Sequence, residues 1–282
     1  MERRNVLKAA AVVGLTAVAQ VANADLIVPG RRRPERRPTP QPERIDSAPD
    51  AQNYIVLEFF FAQNKEKRDA LAAKFDAELI PLRHEIGFDK IGIFTVHDEL
   101  MKNERGYDAE KFDGVVFTVQ QTSSPDLLLS YQDISVKTAS KFNLSDDLDF
   151  VDEEIIALRC FPSVPKIEVP NTNEGRVLQL RTYNSPNYER NLAKQAMFED
   201  AELQIFRNSG MDPVFFGRTV FGSMAPNVTY MLSFKDDEAR REGWSKFVNS
   251  DEWKTLSKDP KYSRTATRIR NLFLTPTPNS EI

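Results

Sequence analysis

Between residues 54 and 61 the chain reads YIVLEFFF, and between 176 and 183 it reads RVLQLRTY. Both are short runs of β-branched and aromatic residues broken by single polar positions, a pattern that predicts strands. Each leads into a segment with helical periodicity. After the first, Leu71, Phe75, Leu79, Leu82 and Ile86 make one apolar stripe on a 3.6-residue period. After the second, Ser185 and Pro186 suit the N-cap and first turn of a helix whose stripe is Leu192, Ala196, Leu203 and Phe206. Pro81 has no backbone N–H to give and is expected to bend or break the first helix near Ile80. Both helices are expected to stop at a glycine, Gly87 and Gly210, which can adopt the left-handed backbone of a C-terminal cap.

The two halves stay in step. GFDKIGIF from Gly87 is echoed by GMDPVFFG from Gly210, and VVFTVQQTSSPDLLLSY (115–131) by VTYMLSFKDDEARREGW (228–244). Each of the latter reads as a strand, polar capping residues and a helix; EEIIALRCFPSVP and RIRNLFLTPTP then close the halves. The order β-α-β-β-α-β is the ferredoxin-like unit, whose helices cover only one face of its sheet. The expected fold is therefore α+β: two tandem ferredoxin-like repeats, 51–165 and 176–278, packed sheet to sheet as an intrachain α+β barrel. A barrel closed within one chain permits a monomer, and a homo-oligomer stays open.

Neither repeat includes the first fifty residues. A basic start, an Ala/Val-rich middle and the sequence ANA ending at Ala24 read as a secretory signal peptide, residues 1–24. Arg3 and Arg4 followed by NVLK resemble the twin-arginine address, with Val6 where that pattern usually has Phe; this implies cleavage after Ala24 and export to the periplasm or beyond, and a Sec signal or a retained anchor stays open. Residues 25–50 are dense in proline and arginine and have no apolar period, which predicts an extended linker. Its Arg31, Arg32, Arg33, Arg36 and Arg37 could make weak contacts with an anionic surface or remain a solvated spacer.

Charge and composition narrow the chemistry. Losing residues 1–24 removes Arg3, Arg4 and Lys8 against Glu2, so the formal net charge moves from -4 to -6, a poor match to nucleic acid. The single cysteine, Cys160, excludes an intrachain disulfide and a multi-cysteine metal site. Only His84 and His97 could serve as imidazole ligands, and neither lies in a ligand-spacing motif, so no metal or cofactor is expected. No phosphate-binding glycine loop, HExxH or GxSxG appears. Trp244, Phe247 and Trp253 fall at helical spacing and read as core.

LQLRTYNSP, GMDPVFFGRTVFG and YMLSFKDDEARREGWSKFVNSDEWKTL resemble the NIPSNAP domain over roughly residues 176–275, while residues 54–165 share the topology without the letters. The resemblance implies a ferredoxin-like, α+β-barrel fold. NIPSNAP proteins have no established catalytic residues, so the resemblance carries no reaction with it.

One position stands out. In the second repeat Leu178, Leu180 and Thr182 alternate with Gln179, Arg181 and Tyr183. If the helices take the apolar set, the polar set points into the barrel, opposite Glu58, Phe60 and Ala62 of the first repeat. A guanidinium there must be paired. Either Arg181 closes an ion pair with Glu58, or Arg181 binds an anion with Tyr183 and Gln179 orienting it. The function read from this is an exported, non-catalytic module that binds a small ligand or a protein. The alternative is a cofactor-independent, monooxygenase-like enzyme with its pocket between the sheets.

Overall fold

The computed structural model describes residues 53–102, 104, 108–144 and 150–282. The leader with Arg3, Arg4 and Ala24, and the linker with Arg31, Arg32, Arg33, Arg36 and Arg37, lie outside the described residues. The first repeat runs β1 (Tyr54–Ala62), α1 (Lys65–Ile86), β2 (Asp89–Val96), α2 (Asp98–Met101), α3 (Ala109–Phe112), β3 (Val115–Thr122), α4 (Pro125–Leu129), α5 (Tyr131–Phe142) and β4 (Phe150–Cys160). The second runs β5 (Val177–Asn184), α6 (Tyr188–Met197), a π-helical turn (Phe198–Glu202), α7 (Leu203–Asn208), β6 (Asp212–Gly222), β7 (Asn227–Phe234), α8 (Asp237–Asn249), α9 (Asp251–Leu256), a 3₁₀ turn (Pro260–Tyr262) and β8 (Arg268–Pro276). No described helix is long and apolar enough to cross a membrane.

The eight strands close into one antiparallel barrel in the order β1-β3-β2-β8-β5-β7-β6-β4. Within each repeat the ferredoxin-like order holds, and two seams, β2–β8 and β4–β6, weld the repeats edge to edge. Closure leaves no unpaired sheet edge. At the β4–β6 seam Gly217 keeps the strands close, since a Cβ there would lie 2.7 Å from Cβ of Leu158.

The local signals explain the helices. Asn64 caps α1 by accepting from the Lys67 N–H, and Gly87 ends it at φ 108°, donating to the Arg83 and His84 carbonyls. Gly210 likewise sits at φ 75°. Two details differ from expectation. The α1 helix passes through Pro81 without ending, because the proline is exposed while Phe75 and Leu79 are fully buried and anchor the helix on both turns before it. The α6 cap is Asn187, accepting from the Arg190 N–H, not Ser185, whose hydroxyl instead donates to the Thr265 carbonyl.

The stripe of the second repeat also breaks. Leu203 and Phe206 are buried as expected, but Leu192 is 37% exposed. The π turn adds one residue to the helical ladder and rotates everything before it relative to everything after it. Asn191, Lys194 and Met197 therefore take the inward positions on α6.

The strand faces are the reverse of the expected assignment. Leu178, Leu180 and Thr182 share a face with Leu274, Leu272 and Arg270 of β8 and line the barrel interior. In β1 the interior set is Ile55, Leu57, Phe59 and Phe61, all buried in one cluster with Leu178 and Leu180. Phe60 points outward and meets Phe75 of α1 edge-on at 4.9 Å. Among the described residues, aliphatic and aromatic side chains of both repeats pack against one another across this interior.

Candidate functional site

With polar strand residues facing the helices, each repeat holds a polar cluster between its sheet and its helix layer. In the first repeat this cluster is closed. Glu58 is fully buried and accepts two hydrogen bonds from Nη2 of Arg83 on α1, each 3.1 Å. Thr118 donates to the same carboxylate at 2.9 Å and Gln120 at 3.0 Å. The expected Arg181–Glu58 pair therefore does not form: the two residues lie under different helix layers, and Glu58 is saturated by its own repeat. An ion pair that does join the repeats is Glu154 of β4 with Arg270 of β8, bidentate at 2.5 and 3.1 Å inside the barrel. Burial tends to raise the Glu154 carboxyl, but Arg270 outweighs it and holds the group below the ordinary glutamate range.

In the second repeat the cluster is open. Arg181 projects from β5 and is half-buried. Its Nε donates to the Tyr183 hydroxyl at 3.1 Å, and that hydroxyl meets the Tyr230 hydroxyl at 3.0 Å. The guanidinium carbon lies 4.8 Å from the Trp244 ring centroid and 5.4 Å from that of Tyr183, a cation–π arrangement on two walls. Trp244 is itself fixed, since its indole N–H donates to Oε1 of Gln179 at 2.7 Å, while the Gln179 amide donates to Asn271 at 2.7 Å. Among the described residues no carboxylate forms an ion pair with Arg181, and its terminal nitrogens make no hydrogen bond. Burial works against the charge, but Tyr183 and Tyr230 more than offset it, so the group stays protonated.

The floor of the site is held by groups that the sequence pattern did not single out. Lys194 of α6 bonds Glu202 at 2.8 Å, both buried, and its ammonium lies 5.1 Å from the Tyr183 ring. Residues eight apart are offset by about 80° around a regular α-helix; the residue that the π turn inserts between these two cuts that offset and lines them up. Tyr230, opposite Arg181 in the β5–β7 register, is buried, and burial with the adjacent Tyr183 pushes its phenol well above the ordinary value. It stays neutral, and either hydroxyl of the Tyr183–Tyr230 pair can be the donor.

Of the residues expected at the site, Gln179, Arg181 and Tyr183 are brought together and Glu58 is not. Trp244, read as core, is a wall of the site as well as a partner of Phe206 and Phe247. Phe247 is core, and Trp253 packs against it at 4.5 Å. A signal for Tyr230 existed in the alternation of VTYMLSF; none existed for Lys194 and Glu202, whose meeting needs the π turn. His84 lies elsewhere, bonded to Glu281 at 2.8 Å, and the His97 N–H donates to the Phe273 carbonyl. Cys160 is buried in the barrel, where burial pushes its thiol up to about 12, an unreactive state. The described residues contain no group of three or more His, Cys, Asp or Glu able to hold a metal.

Residues 178–281 match the NIPSNAP family. No curated protein matches the chain. Among solved structures, a protein of Fusobacterium nucleatum that bears a provisional monooxygenase name aligns over 80% of this chain and 93% of its own at 12% identity, TM-score 0.54. A NIPSNAP-like domain protein of Burkholderia xenovorans aligns over 37% of this chain and 87% of its own at 22% identity, TM-score 0.32. A NIPSNAP family protein of Agrobacterium tumefaciens covers 37% and 96% at 17% identity, TM-score 0.34. The Fusobacterium protein shares the fold of both repeats; the other two are similar in length to one repeat.

Proposed function

We propose that this chain, whose second repeat is a NIPSNAP domain, is an exported binding module that holds a small organic carboxylate on Arg181. The observation that carries the reading is a half-buried guanidinium stacked on Trp244 and Tyr183, with terminal nitrogens bonded to no described residue. A cation partly withdrawn from water, with no carboxylate partner among the described residues, gains further stabilisation from an anion. The planar fork suits the two oxygens of a carboxylate, and the indole offers an apolar wall for the rest of the molecule. Gln179 and the Tyr183–Tyr230 pair set the orientation.

Calorimetric titration of residues 25–282 with a panel of aliphatic and aromatic carboxylates tests the reading. Arg181→Ala removes a charge-assisted interaction of about 1.5–3 kcal/mol, so affinity should fall roughly 10- to 100-fold. Equal binding by wild type and variant, or no binding by the wild type, would reject it. Export is tested separately, by following a reporter fused to residues 1–24 with Arg3 and Arg4 replaced by lysine.

One observation favours a second reading, a cofactor-independent monooxygenase-like enzyme. Two hydrogen-bonded phenols beside a cation could hold and protonate an oxygenated intermediate. The shared fold with the monooxygenase-named Fusobacterium protein is consistent with that reading but supplies no chemistry for it. Oxygen uptake in the presence of a bound carboxylate, lost in Tyr230→Phe, would favour it; absence of uptake leaves the binding module.

A further inference from the structure

We propose that the outer wall of the β4–β6 seam carries a second anion site, in which Arg159 and Arg218 together clasp a phosphate-type oxyanion. The two residues are direct cross-strand partners, Arg159 on β4 and Arg218 on β6. Opposed side chains in an antiparallel pair stand about 5 Å apart at Cβ, and like charges so placed destabilise the sheet. The chain has more acidic than basic residues, 42 against 38, yet sets no carboxylate against this pair among the described residues. Glu199, the acid that acts on Arg218 electrostatically, is already engaged. It accepts from the Ser163 N–H and hydroxyl and from Gln195, at 3.4, 3.3 and 3.1 Å.

Arg159 is exposed and Arg218 half-buried, so the pair is open to solvent at one end and held at the other. Burial and the neighbouring Arg159 both lower the Arg218 pKa, which marks an uncompensated positive charge. Two guanidinium forks present more donors than a carboxylate can accept; a dianionic tetrahedral oxyanion has the oxygens and the charge to engage both. Phe221, 38% exposed, shares the outer face two rungs along the seam, paired with Ala157. An apolar body attached to the phosphate would rest there. The chemistry is that of a phosphate monoester, either soluble or as the headgroup of a lipid such as phosphatidic acid, and the site is separate from the one on Arg181.

Inorganic phosphate is the first probe, titrated against sodium chloride at matched ionic strength and read by thermal unfolding and calorimetry on residues 25–282. Wild type should show a saturable rise in Tm with phosphate. Arg218→Gln and Arg159→Gln should each weaken phosphate binding at least tenfold, while Arg181→Gln leaves it intact. Without phosphate, either seam variant should melt at the same temperature as wild type or higher, because a repulsion has been removed; a purely structural arginine would give the opposite. The exposed Arg159 makes the second variant informative should the first fail to fold. Sedimentation with phosphatidic acid against phosphatidylcholine vesicles separates the sources: capture that needs both arginines points to a lipid monoester headgroup, and phosphate binding without capture to a soluble ester. A wild type indifferent to phosphate, or seam variants that respond as it does, would overturn the site.

Discussion

Arg83 has no exposed surface, and its Nε and Nη1 have no partner, while Nη2 alone carries the bond to Glu58. Burial opposes its charge and the Glu58 carboxylate more than restores it, leaving the guanidinium above its ordinary value. Such a pair contributes little net stability relative to apolar residues of the same volume, but losing one member strands the other in a dry site. Arg83→Leu alone should therefore destabilise the protein by about 3–5 kcal/mol in urea unfolding, and the double replacement with Glu58→Leu should recover most of that loss. The comparison with Arg181 is instructive. Both repeats place a cation between sheet and helices, but the first supplies its counter-charge internally and fills the position matching Arg181 with Phe60. The second supplies no carboxylate partner to its cation among the described residues.

At the scale of elements, the most exposed irregularity is Pro81. It removes one hydrogen bond from the interior of α1 and is held there by the tertiary packing of Phe75 and Leu79 rather than by helix propensity. Pro81→Ala restores the N–H without touching the core, and a gain of up to about 3 kcal/mol is expected in chemical denaturation. An unchanged midpoint would mean that the helix has already relaxed around the ring. The π turn is the second irregular element. It costs regular hydrogen bonding, yet it rotates Lys194 beneath Tyr183 and sets Glu202 against it. Lys194→Met keeps the volume and removes the charge, leaving Glu202 unpaired; the expected result is destabilisation of several kcal/mol in urea unfolding, with weaker carboxylate binding as Tyr183 loses its support.

At the scale of the whole molecule, segment 277–282 is clasped to the first repeat. The Glu281 N–H donates to the Ile91 carbonyl at 3.0 Å, its carboxylate accepts from the Ile91 N–H at 2.8 Å, and Ile282 is buried. His84 completes the clasp, with one ring nitrogen on Glu281 and the other on the Phe88 carbonyl. Two acceptors require two N–H donors, so the imidazolium is favoured. The hydrogen bond to Glu281 raises the His84 pKa above its ordinary 6.5. A raised value means that this stabilisation is complete below the unfolded pKa and is lost as pH rises through the folded one. Amide exchange at Ile91 and Glu281, corrected for intrinsic rate, should therefore quicken as pH rises above the ordinary histidine value of 6.5, and His84→Gln should flatten the dependence.

The two β-α-β-β-α-β repeats, their glycine caps and the closed α+β architecture are legible in the amino-acid order, because strand alternation and helical period are local signals that recur in both halves. That order also singled out Arg181, Tyr183 and Gln179, since a charge inside an apolar strand is legible without coordinates. It could not determine which face of β5 the helices would take. Leu178 and Leu180 are apolar enough for either side, and the choice fell to barrel closure, which needs the apolar face inward from all eight strands at once. The partner of Glu58 was equally out of reach, because Arg83 lies on the buried face of a helix whose stripe reads as leucine and phenylalanine. Lys194 and Glu202 meet through one inserted residue that no periodicity announces. Local pattern fixes what each segment becomes; which charges find a partner is decided by tertiary packing, which couples residues far apart in the chain.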